Sequence, residues 1–360
     1  MKYQLGKVNP VFILVALLAI GIGVYIQLGS QSAPPQPEFK KLILLPTPRD
    51  LAPVTFTDHR GDTVNVDQFQ GHWSIIFFGF THCPDVCPTT MQTLKQVKQR
   101  VSEAGFWSNN KVIMVTVDPE RDSVERLANY VPFFDNEFVG LRANVSDTTE
   151  FAKQVGVLFF KDKAADNGAY DVDHSAALIL INPQGQYAGV ITAPHKADEI
   201  TADLIDLAKY QGINQATSNT STTQATSALT ENTTPSNTSA LLFSDAWIRP
   251  APPTATSMAA YFIVQNTSTK TISLTAVSSP DFAMSMMHES IMQNDVMSME
   301  HLATLELAPG ESASFEPMGK HVMLMKPKKS LLEGQSTKIV FSTADGQQIT
   351  VDVPIKQPKQ

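Results

Sequence analysis

Cysteine is nearly absent: the 360-residue chain has two, Cys83 and Cys87. That excludes a fold stapled by disulfides, because the single bridge available would close a loop too short to stabilise much. Charge is also sparse, 17% of residues with a net of −8, and Lys and Arg form no long run, which argues against nucleic acid as a partner. Glycine-rich dinucleotide and phosphate loops are missing as well. Between residues 8 and 37 there is no charge at all. There the stretch 10–29, PVFILVALLAIGIGVYIQLG, is almost wholly apolar. Some twenty residues at ~1.5 Å rise span about 30 Å, the thickness of a bilayer core, and exceed the apolar region of a cleaved signal peptide. The expectation is an uncleaved transmembrane helix, entered after Lys2 and Lys7 on the inner side. A stiff Pro-rich spacer over 30–50 then leads to the folded part.

What is present is a chain long enough for two domains, with 42% hydrophobic residues. The two cysteines stand in Thr81-His82-Cys83-Pro84-Asp85-Val86-Cys87-Pro88. An apolar run at 73–80 before them reads as a buried strand, and 89–101 after them has helical spacing. Both thiols therefore fall at a helix start, where unpaired N–H groups and the macrodipole favour thiolate over thiol. One helical turn of separation suits either a redox disulfide or a pinched metal ion, and spacing alone leaves both open.

Three motifs, Thr81 to Pro88, Val117-Asp118-Pro119-Glu120-Arg121-Asp122 and Asp171-Val172-Asp173-His174-Ser175, together resemble the Sco/SenC family of thioredoxin-like copper proteins. The resemblance covers 51–211 and implies an α/β thioredoxin-like domain. It also implies Cys83, Cys87 and His174 as copper ligands, for Cu(I) and also Cu(II), with Asp118 close by. The residues themselves agree with such a domain: a hairpin at 55–57 and 64–66, strands at 74–80 and 112–117 in a right-handed parallel crossover, helices at 123–131, 147–155 and 198–210, a short strand at 138–141, and a hairpin at 176–181 and 187–191 around Asn182-Pro-Gln-Gly185. His82 reads as a neighbour of the site, and His59, His72 and His195 as loop residues.

Residues 212–240 are dominated by Ser, Thr, Asn, Gln and Ala and hold one charge, Glu231. They read as a flexible linker. Beyond it, nine of the thirteen methionines fall between Met284 and Met325. Methionine-rich segments are commonly adaptable core or binding surface. Here, however, they are interleaved with His288 and His321. The stretches from Asp245-Ala-Trp247-Ile-Arg249 to Lys320-His321-Val-Met323-Leu-Met325 resemble the periplasmic PCu(A)C copper chaperones over 241–355. That resemblance implies a cupredoxin-like sandwich with a rim site, and His288, Met299, His321 and Met323 as Cu(I) ligands. Met286, Met287, Met297 and Met325 read equally as core or as a relay. Alternating runs at 259–264, 271–277, 304–307, 321–325, 337–341 and 348–353 support an all-β sandwich.

The combined expectation is a membrane-anchored copper metallochaperone of the bacterial inner membrane, single pass, with both domains in the periplasm. It would supply the cytochrome c oxidase subunit that carries the dicopper centre. Alternatives are a thiol-disulfide reductase acting through Cys83 and Cys87 with a thiol reductant partner, or a copper buffer or sensor.

Overall fold

In this computed structural model the described residues are 20, 37–161, 170–212, 240–253 and 255–357. The linker expected at 212–240 thus lies, but for its ends, outside them.

The first half runs β1 (Leu42–Arg49), β2 (Thr55–Asp58), β3 (Thr63–Asn65), β4 (Ser74–Gly79), α1 (Val86–Glu103), β5 (Lys111–Thr116), α2 (Val124–Phe134), β6 (Val139–Arg142), α3 (Val145–Gln154), β7 (Phe159–Lys161), β8 (Val172–Ser175), β9 (Leu178–Ile181), β10 (Tyr187–Ile191) and α4 (Ala197–Tyr210). Eight strands form one sheet in the order β1-β10-β9-β4-β5-β6-β2-β3. Its centre is the parallel pair β4 and β5, registered Ile75 to Val112 and Phe77 to Met114. Every residue of β4 is buried, as expected for a strand covered on both faces. Helix starts are capped where the sequence offers a short polar side chain: Ser123 accepts from Arg126 N–H on α2, and Asn144 from Asp147 N–H on α3.

The spacer expected over 30–50 is in part a strand. β1 pairs antiparallel with β10, and the buried Asp203 carboxylate on α4 accepts the N–H groups of Lys40, Lys41 and Leu42 at 2.8, 2.6 and 2.9 Å. His59 lies in the turn after β2, a loop position as expected, and is buried there, its Nδ1 accepting Gly140 N–H at 3.1 Å.

The transmembrane expectation requires correction. No helix among the described residues is long and apolar enough to cross a membrane, and the stretch 10–29 falls, except for residue 20, outside them. The 18-residue α1 carries Lys95, Lys98, Arg100 and Glu103, so it is amphipathic and packs one face on the sheet. The anchor, and the single-pass inner-membrane placement that followed from it, are therefore withdrawn.

The second half is all β: β11 (Leu241–Ile248), β12 (Ser257–Asn266), β13 (Ile272–Ser278), β14 (Phe282–Gln293), β15 (Val296–His301), β16 (Leu305–Leu307), β17 (Ser312–Phe315), β18 (Lys320–Pro327), β19 (Ser336–Thr343) and β20 (Gln348–Pro354). A four-stranded sheet, β16-β13-β19-β20, packs against β11-β12-β18-β14-β15, with β17 on β12. Between them lies a core that includes Phe262, Val264, Leu274, Met287, Val322, Leu324, Ile339 and Phe341. The larger sheet does not stop at the second half. β15 pairs with β8 and β8 with β7, so one sheet runs through both halves of the chain.

Candidate metal centre

Cys83 sits in the loop after β4, and Cys87 is in the first turn of α1. Both are unbridged and buried, Cys87 completely. Gly79 makes this approach feasible: a Cβ there would lie 2.5 Å from the Phe77 ring and 3.1 Å from Cys87 Sγ. Cys87 N–H donates to Cys83 Sγ at 3.4 Å, and His174, on β8, places Nε2 3.8 Å from Cys87 Sγ. His174 Nδ1 lies 3.0 Å from the Ser175 carbonyl, an acceptor, so Nδ1 carries the proton and Nε2 keeps its lone pair turned toward the thiol. Burial lowers the His174 pKa, against the opposing pull of that carbonyl. The imidazole is neutral and fit to ligate.

The thiol at the helix start does not behave as the dipole argument expects. Burial, reinforced by Cys83 alongside, pushes the Cys87 thiol well above its ordinary value. Loss of hydration outweighs the helix N-terminus here. Copper suits such a pair, because a soft metal displaces the thiol proton on binding.

Asp118 accepts from Arg121, its ion-pair partner, and from the Tyr170 hydroxyl at 2.8 Å. The carboxylate that holds the start of the cysteine loop is Asp122. It accepts Thr81 N–H at 3.0 Å, Thr81 Oγ1 at 2.6 Å and Thr116 Oγ1 at 2.6 Å, with His82 Nδ1 3.4 Å away. Asp85 is the larger surprise. Standing at the N-cap of α1, it makes no side-chain cap. Its fully buried carboxylate instead crosses to the second half, where Tyr261 Oη donates to Oδ1 at 2.7 Å, and Ser290 Oγ and Met318 N–H donate to Oδ2 at 2.9 and 2.8 Å. Neither aspartate was singled out from sequence, although both stand inside the quoted motifs.

Strand alternation sorts the second-half donors. Met287, Val322 and Leu324 point into the sandwich core. On the opposite face lie His288, paired with both His321 and His301, and Met286, paired with Met323. Met299 opposes Ser290 on that same face. The rings of His288 and His321 are 6.0 Å apart, so the four expected ligands do share one surface, on a sheet face rather than a rim. His321 Nδ1 lies 3.0 Å from the Gly319 carbonyl, while buried His321 Nε2 and His288 Nδ1 have no partner. Buried nitrogens without hydrogen bonds are costly unless a ligand takes them up. Burial, with His321 and His301 adding to it, pushes His288 down to about 4. His301, whose ring is 5.7 Å from His288, is a neighbour that the sequence reading passed over. Thioethers and neutral imidazoles form a donor set for Cu(I). Among the described residues, no three His, Cys, Asp or Glu side chains already converge on one point; thioether sulfur lies outside that count.

Residues 47–209 match the family described as SCO1/SenC, and 241–355 match one described as "Putative lipoprotein LpqE-like". Among relatives, the "Putative copper-binding protein" of Stutzerimonas stutzeri is 32% identical over 157 residues, 44% of this chain and 76% of that protein. Protein SCO2 homolog, mitochondrial, of Bos taurus is 33% identical over 144 residues, 40% of this chain and 54% of that protein; the chain thus spans about half the length of that mitochondrial relative. The copper-bound PCuAC domain from PmoF2 aligns with 33% of this chain and 95% of its own length, at 20% identity and a TM-score of 0.29, a likeness too slight to build on. The match over 47–209 and a relative 32% identical over 76% of its length show that the chain belongs, through its first half, to the SCO1/SenC family.

Proposed function

We propose that this chain is a two-site copper metallochaperone. Copper is its cargo: Cu(I) is taken up by His288, Met299, His321 and Met323 in a PCu(A)C-like second half (241–355). It is held or passed on by Cys83, Cys87 and His174 in the first (51–211), for delivery to an acceptor of the cytochrome c oxidase dicopper type. The observation that carries this reading is the approach of His174 Nε2 to Cys87 Sγ, 3.8 Å, with the other ring nitrogen facing a backbone carbonyl. A lone pair aimed at a buried thiol is what a Cys/Cys/His copper site requires. Family membership supports copper handling in general and a delivery role toward an oxidase-type acceptor.

The test is anaerobic titration of the full chain with Cu(I) against a competing chelator, before and after thiol oxidation. Two coppers when reduced and one when oxidised is the expected result. One copper in both states would mean that only the Met/His face binds metal.

A second reading, thiol-disulfide exchange on the acceptor's cysteines, is favoured by one observation: the two cysteines are unbridged and one helical turn apart, with the Cys87 N–H donated to Cys83 Sγ at 3.4 Å. Under that reading His174→Ala leaves reductase activity largely intact, whereas Cys83→Ser abolishes it. Equal losses would return the cysteines to metal transfer.

A further inference from the structure

The two halves meet at their metal-bearing faces. β8, which carries His174, pairs antiparallel with β15, and His174 is directly opposite Met297. Ala176 N–H donates to the Asp295 carbonyl at 2.9 Å and extends that ladder. Directly opposed residues of an antiparallel pair project to the same face with Cβ atoms about 4.5–5.5 Å apart, so the Met297 side chain rises beside the His174 ring. Met297 is 4% exposed and packs into the hydrophobic cluster of the first half, not that of its own sandwich. One small cleft is lined by Cys83, His174, Met297 and Met299.

The cysteine loop is clamped in this position from both sides. Ser257 Oγ donates to the His82 carbonyl at 2.7 Å. Asp85, between the two cysteines, receives Tyr261, Ser290 and the Met318 N–H, with His321 Nδ1 3.7 Å away. A buried carboxylate met by three donors on the opposing half is a latch: separating the halves would strand the charge and its donors together. It holds the thiols and the thioethers face to face.

We infer that Met297 is a further copper ligand, supplied by the second half to the Cys83, Cys87 and His174 site, and that Asp85 is the latch that keeps it there. The inference rests on the Cys/Cys/His copper reading above. The added bond is dative: the thioether donates a lone pair to Cu(I), and neither proton nor electron changes hands. Soft sulfur suits Cu(I). Met299, two residues along β15 on the same face, then stands between this site and His288 and His321, so the two copper sites are successive stations on one surface.

The test uses the full chain with His288→Ala and Met323→Leu, which disable the second site and leave His321 beside Asp85. One equivalent of Cu(I) is added anaerobically. X-ray absorption then gives the number of sulfur ligands, and chelator competition the affinity. Adding Met297→Leu, a swap that keeps core volume, is expected to remove one sulfur and weaken binding by about tenfold or more. Tyr261→Phe with Ser290→Ala leaves Met297 and all first-half ligands in place but loosens the latch. It is expected to lose the same sulfur, and it carries the test if the leucine variant does not fold. Unchanged sulfur number and affinity in these variants would overturn the inference while leaving the Cys/Cys/His site standing. A parent that binds no sulfur-coordinated copper would sink the underlying reading, and this inference with it.

Discussion

Under the proposed function the two halves of the molecule offer copper donors of opposite character. In the first, Cys83, Cys87 and His174 come from a loop, a helix and a strand, and two of the three must shed a proton to bind metal. In the second, the proposed ligands His288, Met299, His321 and Met323 lie across three adjacent strands of one face, and the thioethers carry no proton to lose. Burial acts on both, with contrary consequences. It holds the Cys87 proton on the sulfur, yet keeps the His288 lone pair free by pushing its pKa down to about 4. Thioether donors take copper with no proton to displace, whereas the thiols of the first site grip it only in exchange for protons. One continuous sheet joins the two and sets the proposed sites side by side.

The largest test of that contrast is Cys87→Ser, which should remove one copper equivalent from the reduced chain and leave the other. Titration that still returned two would erase the distinction between the halves. Next in size is Asp85→Ala. Three donors of the second half would lose a buried acceptor, a cost of about 1–3 kcal/mol for each one left unmet. Hydrogen exchange should quicken at Met318 and along β15, while β4 and β5 keep their protection. Equal loss in the central strands would mean that Asp85 supports the first half alone.

Gly79→Ala is expected to act on one half only. A methyl group 2.5 Å from the Phe77 ring and 3.1 Å from Cys87 Sγ overpacks the core, destabilising the first half by about 1–3 kcal/mol. Denaturant unfolding should show it there and leave the sandwich transition in place. The smallest effect separates the sites by pH. Between pH 6 and 8, first-site affinity should rise about tenfold per unit or more, since displacing the Cys87 proton alone contributes one proton to the exchange. His288, depressed to about 4, is already neutral throughout that window, so it adds no slope to the second site and the pH dependence there should be the shallower of the two. Chelator competition at three pH values would read both, and parallel slopes would contradict the contrast.

Much of the first half was legible in the sequence because its signals are local. The apolar run into β4, the helical period of α1 and the turn at Asn182 to Gly185 each report a few neighbouring residues. The methionine-rich strands β14 and β15 were not read as strands, since they hold few of the β-branched and aromatic residues that mark a strand in sequence. Leu42–Arg49 was taken for spacer because its partner β10 lies far along the chain.

The sequence by itself determined which donors are available: two thiols at a strand-to-helix turn, a histidine in Asp173-His174-Ser175, and thioethers interleaved with imidazoles. Only the tertiary structure decided what those donors meet. It turned Met297 into the other half's core, spent Asp85 on Tyr261 and Ser290 instead of on the N–H groups of its own helix, and left Cys87 without water. Composition and period are properties of short stretches. Which face of a strand is covered, and by what, depends on contacts between residues more than a hundred positions apart, such as Asp85 and Ser290, and hydration follows from that cover.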